Sequence, residues 1–199
     1  MKKILTLSAA AFATTIALAG CSADTSGGGM SGMNHGSSGM SSSFAPAPGD
    51  HNAADTMFSQ GMIPHHTQAV VMSDMMLTKQ GIDPKVAALA TRIKAEQGPE
   101  ITTMTGWLKS WNESAQMSAG HGMSGMMGAD DMGKLQTAQG TDAAKLFLTQ
   151  MIAHHQGAIM MSKTEEAGGQ NTDAVALSKS IVVSQQAEIQ EMKDLLGTL

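Results

Sequence analysis

The sequence predicts an all-α fold: a four-helix bundle made of two duplicated helical hairpins, with a short extra helix in the central connection. Two observations carry this. Apolar residues recur every three or four positions through four long segments. The two halves also repeat each other. Phe58-x-x-x-Met62-Ile63-Pro64-His65-His66-x-x-Ala69 aligns with Phe147-x-x-x-Met151-Ile152-Ala153-His154-His155-x-x-Ala158 at an offset of 89. Gln97-x-x-Glu100-Ile101-x-x-Met104 aligns with Gln185-x-x-Glu188-Ile189-x-x-Met192 at an offset of 88. Ordered matches of this kind mark an internal duplication. A single hairpin leaves its apolar stripe bare, and two packed together cover it.

The chain has 199 residues. Residues 1–20 read as a leader: Lys2 and Lys3, an apolar run from Ile4 to Ala17, then Leu18-Ala19-Gly20-Cys21. That run is too short for a permanent membrane helix. The ending resembles a bacterial lipobox, which implies lipidation at Cys21 and attachment to a membrane. Cys21 is the one cysteine of the chain, so disulfides and thiolate metal sites are excluded. Residues 21–49, rich in Ser, Gly and Met, are expected to form a flexible tether.

The four-helix domain is expected over 50–198. Repeat one covers about 51–112, a Met/Gly-rich connection 113–139, and repeat two about 140–198. The first helix is expected to start at Asp50 or Asn52, run to about Lys79 and stop at Gly81. Pro84 suits the first turn of the next helix, which fades after Trp111. A short helix is expected near Asp130 to Ala138. The third long helix is expected to begin at Thr141 as cap and end before Gly168-Gly169, and the fourth to run from about Asp173 to Leu196. Pro64 and Pro99 lie inside helical segments. Each removes a backbone donor, at a cost of about 3 kcal/mol in a helix interior, so a bend is expected at Pro64 and a kink or restart at Pro99.

On a helical wheel, Phe58, Met62, His65, Ala69, Met72 and Met76 form one inward seam. His66 lies roughly 40° from Met62 on one side and His65 roughly 60° on the other. Phe147, Met151, His154, Ala158 and Met161 repeat the seam, with His155 beside it. Each copy therefore aims two imidazoles and at least two thioethers at the bundle interior. Borderline imidazole with soft thioether suits copper, above all Cu(I), and by the same softness Ag(I). Met62 lies one turn from His65 and His66, and Met151 one turn from His154 and His155, so one ion can bridge each set. Methionine on a seam is ordinarily core filler, but four buried imidazoles without partners would each cost about 1–3 kcal/mol. Gln97, Glu100, Gln185 and Glu188 are candidates for hydrogen bonds that orient those rings, with or without metal.

Methionine is abundant, 19 residues, and much of it lies outside any seam. Met30, Met33, His35 and Met40 fall in the tether, and His121, Met123, Met126 and Met127 in the central connection. Methionine in a solvated segment has no packing reason to be there, so loose capture of Cu(I) or Ag(I) is expected. Without Lys2 and Lys3 the chain keeps 10 basic and 17 acidic residues, a formal charge of −7, which argues against nucleic acid as a partner. No Glu-x-x-His pair of the di-iron type occurs, and no Cys-x-x-Cys-His for haem c. Haem b held by His and Met in a bundle stays open, but nothing in the sequence singles it out, and no phosphate-binding glycine loop precedes a helix, so neither haem nor nucleotide is expected.

The paired Met-Ile-x-His-His motifs and the Gln-x-x-Glu-Ile-x-x-Met helices resemble the family called domain of unknown function 305, over roughly residues 51 to 197. The resemblance implies a ferritin-like four-helix bundle in an exported protein, with copper binding and copper tolerance at the periplasm or cell surface. Carried over by position, it implies metal-site residues Met62, His65 and His66 in one copy and Met151, His154 and His155 in the other, with Met72 and Met161 as weaker additions. The second helix departs from the repeat at Gly98-Pro99, where the fourth has Gln186-Ala187, so two unequal sites are expected.

Three functions follow from these residues. The first is copper sequestration, or transfer to a protein partner, in the cell envelope. The second is a metal-free interaction module in which His and Met only pack. The third is a cuprous oxidase, which the sequence supports least because no separate acid or base stands beside an open site. No enzyme activity is expected.

Overall fold

The computed structural model describes residues 50–117 and 124–199. Five helices occur there: α1 (Ala53–Leu77), α2 (Pro84–Ser110), α3 (Ala129–Thr137), α4 (Gly140–Gly168) and α5 (Thr172–Leu196). The expected leader and tether, with Cys21, Met30, Met33, His35 and Met40, lie outside the described residues, as do His121 and Met123.

The helix ends follow from local chemistry. Asn52 caps α1: its side chain accepts from the N–H groups of Ala54 and Asp55, and the Asp55 carboxylate takes the Asn52 N–H in return. The helix ends at Leu77, with Gly81 at φ +69° in the turn that follows. Asp83 caps α2 ahead of Pro84. Asn171 caps α5 through Asp173 and Ala174. Thr141 is not the cap of α4. The preceding Gln139 holds that position, without a side-chain bond, and the chain turns into the helix at Gly140, φ +54°. Pro99 brings no restart, since α2 is helical through it, and α1 is likewise helical through Pro64. Each proline costs one helical hydrogen bond, but the surrounding helix is held by its packed face, which outweighs that local loss.

α1 packs chiefly on α2 and α4 on α5, and the two hairpins meet mainly through α1 and α4. The core falls into two apolar clusters. The larger takes Ala69, Met72 and Met76 from α1, Leu89 and Ile93 from α2, Phe147 and Met151 from α4, and Ile189 and Met192 from α5. The smaller takes Phe58 and Met62, Met104, Ala158 and Ile181 from the same four helices. Along α1 the order is smaller cluster then larger, and along α4 the reverse, so the two central helices run antiparallel. Between the clusters every helix changes to polar side chains at the same level. Those side chains are His65 and His66, Gln97 and Glu100, His154 and His155, and Gln185 and Glu188.

Candidate metal centre

The polar layer is built by the duplication. Each hairpin brings one His-His pair on its first helix and one Gln-x-x-Glu on its second, and antiparallel packing brings the two sets to one level. The rings of His65 and His154 meet at the centre, 3.7 Å between centroids and tilted by 38°. His66 and His155 each turn toward the other helix of their own hairpin. His66 Nε2 lies 2.8 Å from Glu100 Oε2, and His155 Nε2 lies 2.7 Å from Glu188 Oε2. All four imidazoles are at most 1 % exposed.

A carboxylate oxygen only accepts, so Nε2 of His66 and of His155 carries the proton. Nδ1 of each is then left with its lone pair. His65 Nε2 lies 3.2 Å from the Ser124 carbonyl oxygen, which fixes the same tautomer there. Nδ1 of His65, His66 and His155, and both ring nitrogens of His154, make no hydrogen bond of normal geometry among the described residues, although the His65 backbone lies near enough to the His154 ring to favour its charge weakly. Burial, reinforced by the neighbouring imidazoles, pushes His65 down to about 3 and His154 down to about 2. Both rings are therefore neutral at physiological pH, the state that binds a metal.

Met62 and Met151 are fully buried one turn before each pair, in the smaller and larger clusters respectively, and Met72 is fully buried in the larger. Met161 is half-buried against the smaller cluster. Gln97 and Gln185 are buried at the level of the histidines, with both amide atoms of Gln97 and the Gln185 carbonyl oxygen unpartnered among the described residues. Met126 and Met127 are half-buried, and Met127 packs on the larger cluster while its backbone exchanges two hydrogen bonds with the Gln68 amide. Met127 thus has a packing role that its position in a glycine-rich connection did not announce.

The two copies are not equal, and the central connection makes the difference. Ser124 and Gly125 lie directly on α4 at Gly157. A Cβ on Gly157 would meet the Ser124 carbonyl oxygen at 2.0 Å, and one on Gly125, at φ +83°, would meet the Ala153 oxygen at 2.7 Å. The equivalent of Gly157 in the first repeat is Gln68, which holds Met127 instead. The connection thereby supplies a carbonyl to His65 and none to His154. Sequence reasoning missed Ser124, since the contributing atom is backbone; Gly157, standing where the other repeat has Gln68, was the available signal. The outer shell is unequal too, since Arg92 pairs with Glu191 and lies 3.9 Å from Glu188.

A third feature went unread: Asp55 and Glu165, both buried, join the start of α1 to the α4–α5 turn. Asp55 accepts from the N–H groups of Gln170 and Asn171. Burial works against its charge, but the neighbouring Glu165 carboxyl and the backbone N–H groups outweigh it and hold Asp55 below the usual range. Burial and the Asp55 charge push Glu165 up to about 8.

Comparison with known proteins agrees with this architecture. A crystal structure of a DUF305 protein from Streptomyces coelicolor is 34 % identical, with a TM-score of 0.69, covering 73 % of this chain and 93 % of that one. A DUF305 fragment from Deinococcus radiodurans is 29 % identical, with a TM-score of 0.68, covering 74 % and 98 %. CopM in its Cu(I)-bound form is 31 % identical, with a TM-score of 0.61, covering 72 % and 96 %; it has also been solved with Cu(II) and with silver. No curated protein sequence matches the chain. The family model for the domain of unknown function DUF305 matches residues 55–196, and the chain belongs to that family.

Proposed function

We propose that this protein binds Cu(I), and Ag(I) in its place, in the cell envelope, where it sequesters the ion or hands it on and so contributes to metal tolerance. The observation that carries the reading is the set of unpartnered ring nitrogens in a buried layer. Buried polar groups are nearly always satisfied, and four imidazoles with ring nitrogens left unpartnered among the described residues at one level offer donors suited to a cation.

The residues fit a soft ion. Among the described residues, no three His, Cys, Asp or Glu side chains are grouped to hold a metal; the donors of the proposed site are imidazole together with thioether. His65 and His154 supply the central nitrogens. Met62, Met151, His66 and His155 lie within a turn of them, and Met72 and Met161 lie farther along the same seams. Glu100 and Glu188 hold the outer pair in one tautomer, as carboxylates do for metal-bound histidine. CopM, bound to Cu(I), Cu(II) and silver on a similar fold, supports the reading.

Export rests on the leader, and anchoring on the lipobox-like Leu18-Ala19-Gly20-Cys21. The Streptomyces coelicolor relative bears a name that describes it as secreted. Among the described residues no helix is long and apolar enough to cross a membrane.

Anaerobic Cu(I) titration with metal counting tests the proposal, on the full chain and on one lacking residues 22–49. Retained stoichiometric binding in the shortened chain, with sulfur and nitrogen scatterers in X-ray absorption, is expected. Affinity no greater than that of free methionine, or light scatterers alone, overturns it. His65→Gln with His154→Gln should abolish the bundle site while the helices remain.

A further inference from the structure

Gly61 lies one turn before His65 on α1, and two sulfurs converge on it. A Cβ at Gly61 would lie 3.4 Å from Met117 Sδ and 3.5 Å from Met161 Sδ. Met161 comes from α4; Met117 comes from the stretch after α2, more than forty residues away in sequence. Both side chains are half-buried, so the pair is reached from outside, unlike Met62 and Met151.

Glycine in a helix interior is destabilising relative to alanine. At Gly61 neither backbone nor packing demands it: the residue has no positive φ, and an alanine methyl would make only ordinary contact with the two sulfurs. What glycine does is leave the space between two thioethers open. The chain around Met117 is also held in place. Gln60 Nε2 donates to the Ser114 carbonyl at 2.7 Å. A surface cleft of about 450 Å³ between Gln60, Pro64 and Thr67 of α1 and Gln116 and Met117 reaches Met117 from outside. Two thioethers with an open face suit a soft monovalent ion that accepts few ligands.

We propose that Met117 and Met161 form a thioether pair over Gly61 that takes Cu(I) or Ag(I) from outside, one helical turn from the histidine layer. The proposal rests on the copper reading above and adds an outer site to it. Neutral thioethers do not compete with protons, so the pair captures the ion in acidic surroundings. The ion then has a short path along α1 to the unpartnered nitrogens of His65 and His154.

The test is Ag(I) titration of the full chain carrying ¹³C-methyl methionine, with imidazole signals followed in the same samples. The Met117 and Met161 methyls should shift together with one saturating equivalent. Met117→Leu and Met161→Leu, which conserve volume and keep the fold, should each abolish the partner's shift and weaken that equivalent at least tenfold. Met117→Leu should leave the imidazole response in place. If the imidazoles respond while the Met117 and Met161 methyls stay still, or shift independently, the outer pair is refuted and the central site stands. If neither responds, both proposals fall.

Discussion

Lowering the pH from 7 to 5 separates the histidine layer from an ordinary imidazole site. An imidazole with the usual pKa of 6.5 is only about 3 % neutral at pH 5, so a site using two of them loses about 10³ in affinity, or roughly 4 kcal/mol. His65 and His154, pushed down to about 3 and about 2, remain neutral at pH 5. Their contribution to metal affinity should therefore change less than twofold. A silver-selective electrode reads free Ag(I) directly and needs no pH-sensitive competitor, and ring Cε1–H signals report protonation of each histidine. Either ring titrating near 6.5, together with a loss approaching 10³, refutes the reasoning. The same shifts have a cost in the apo protein. The unfolded chain takes up protons below 6.5 that the folded chain refuses, so each of the two residues removes about 1.4 kcal/mol of stability per pH unit from 6.5 down toward its folded value. Bound metal should accordingly move the acid unfolding midpoint downward, which circular dichroism with and without Ag(I) checks.

Glu165 produces a slope of the opposite sign. The folded chain keeps a proton that the unfolded chain releases above about 4.5, so stability should fall by about 1.4 kcal/mol per unit as pH rises from there to about 8. Glu165→Gln should flatten that part of the urea-unfolding profile, and identical profiles for both proteins would refute the assignment. Gly157→Ala should destabilise by about 1–3 kcal/mol, because the new methyl meets the Ser124 carbonyl oxygen at 2.0 Å and displaces the connection; a melting temperature unchanged from the parent counts against that contact. Glu188→Gln should cost about 1–2 kcal/mol and 10–100-fold in metal affinity, more than Glu100→Gln, since Glu188 is the more buried of the two. Equal effects in a urea and Ag(I) titration of the two variants would show that the copies are equivalent at this level.

The fold was legible because the signal was periodic and repeated. The seam residues Phe58, Met62, His65, Ala69, Met72 and Met76 are all buried, and the two sequence offsets alone place the hairpins in register. The same offsets brought Glu100 and Glu188 to His66 and His155, because a residue pattern conserved across both copies is a statement about mutual position. Helix starts were less legible. Thr141 has the better cap chemistry, yet Gly140 reaches a positive φ and lets the cap fall two residues sooner, at Gln139. Pro99 shows the limit of local rules: the lost hydrogen bond is real, but Gln97, Met104 and Leu108 are buried around it and hold α2 together.

What stayed hidden in the site belongs to the connection, where no period exists to read. Met117, Ser124 and Met127 act through a sulfur, a carbonyl and a backbone amide, none of which depends on a pattern in neighbouring residues. Their counterparts on the helices are nevertheless written in the sequence as broken symmetry. Gly61 stands where the second repeat has Gln150, and Gly157 stands where the first has Gln68. Gln150 holds the Asp131 carbonyl, and Gln68 holds Met127. At each of these two levels one copy grips the connection with a glutamine, and the other gives way to it with a glycine. Duplication built a symmetric layer of four histidines, and these paired exchanges let one connecting segment cross it. The same exchanges give the layer an inside and an outside. His154 is left with both nitrogens free at the centre, and Met117 is left beside Met161 at the rim, so an ion entering by the rim meets softer, more accessible donors before buried nitrogen.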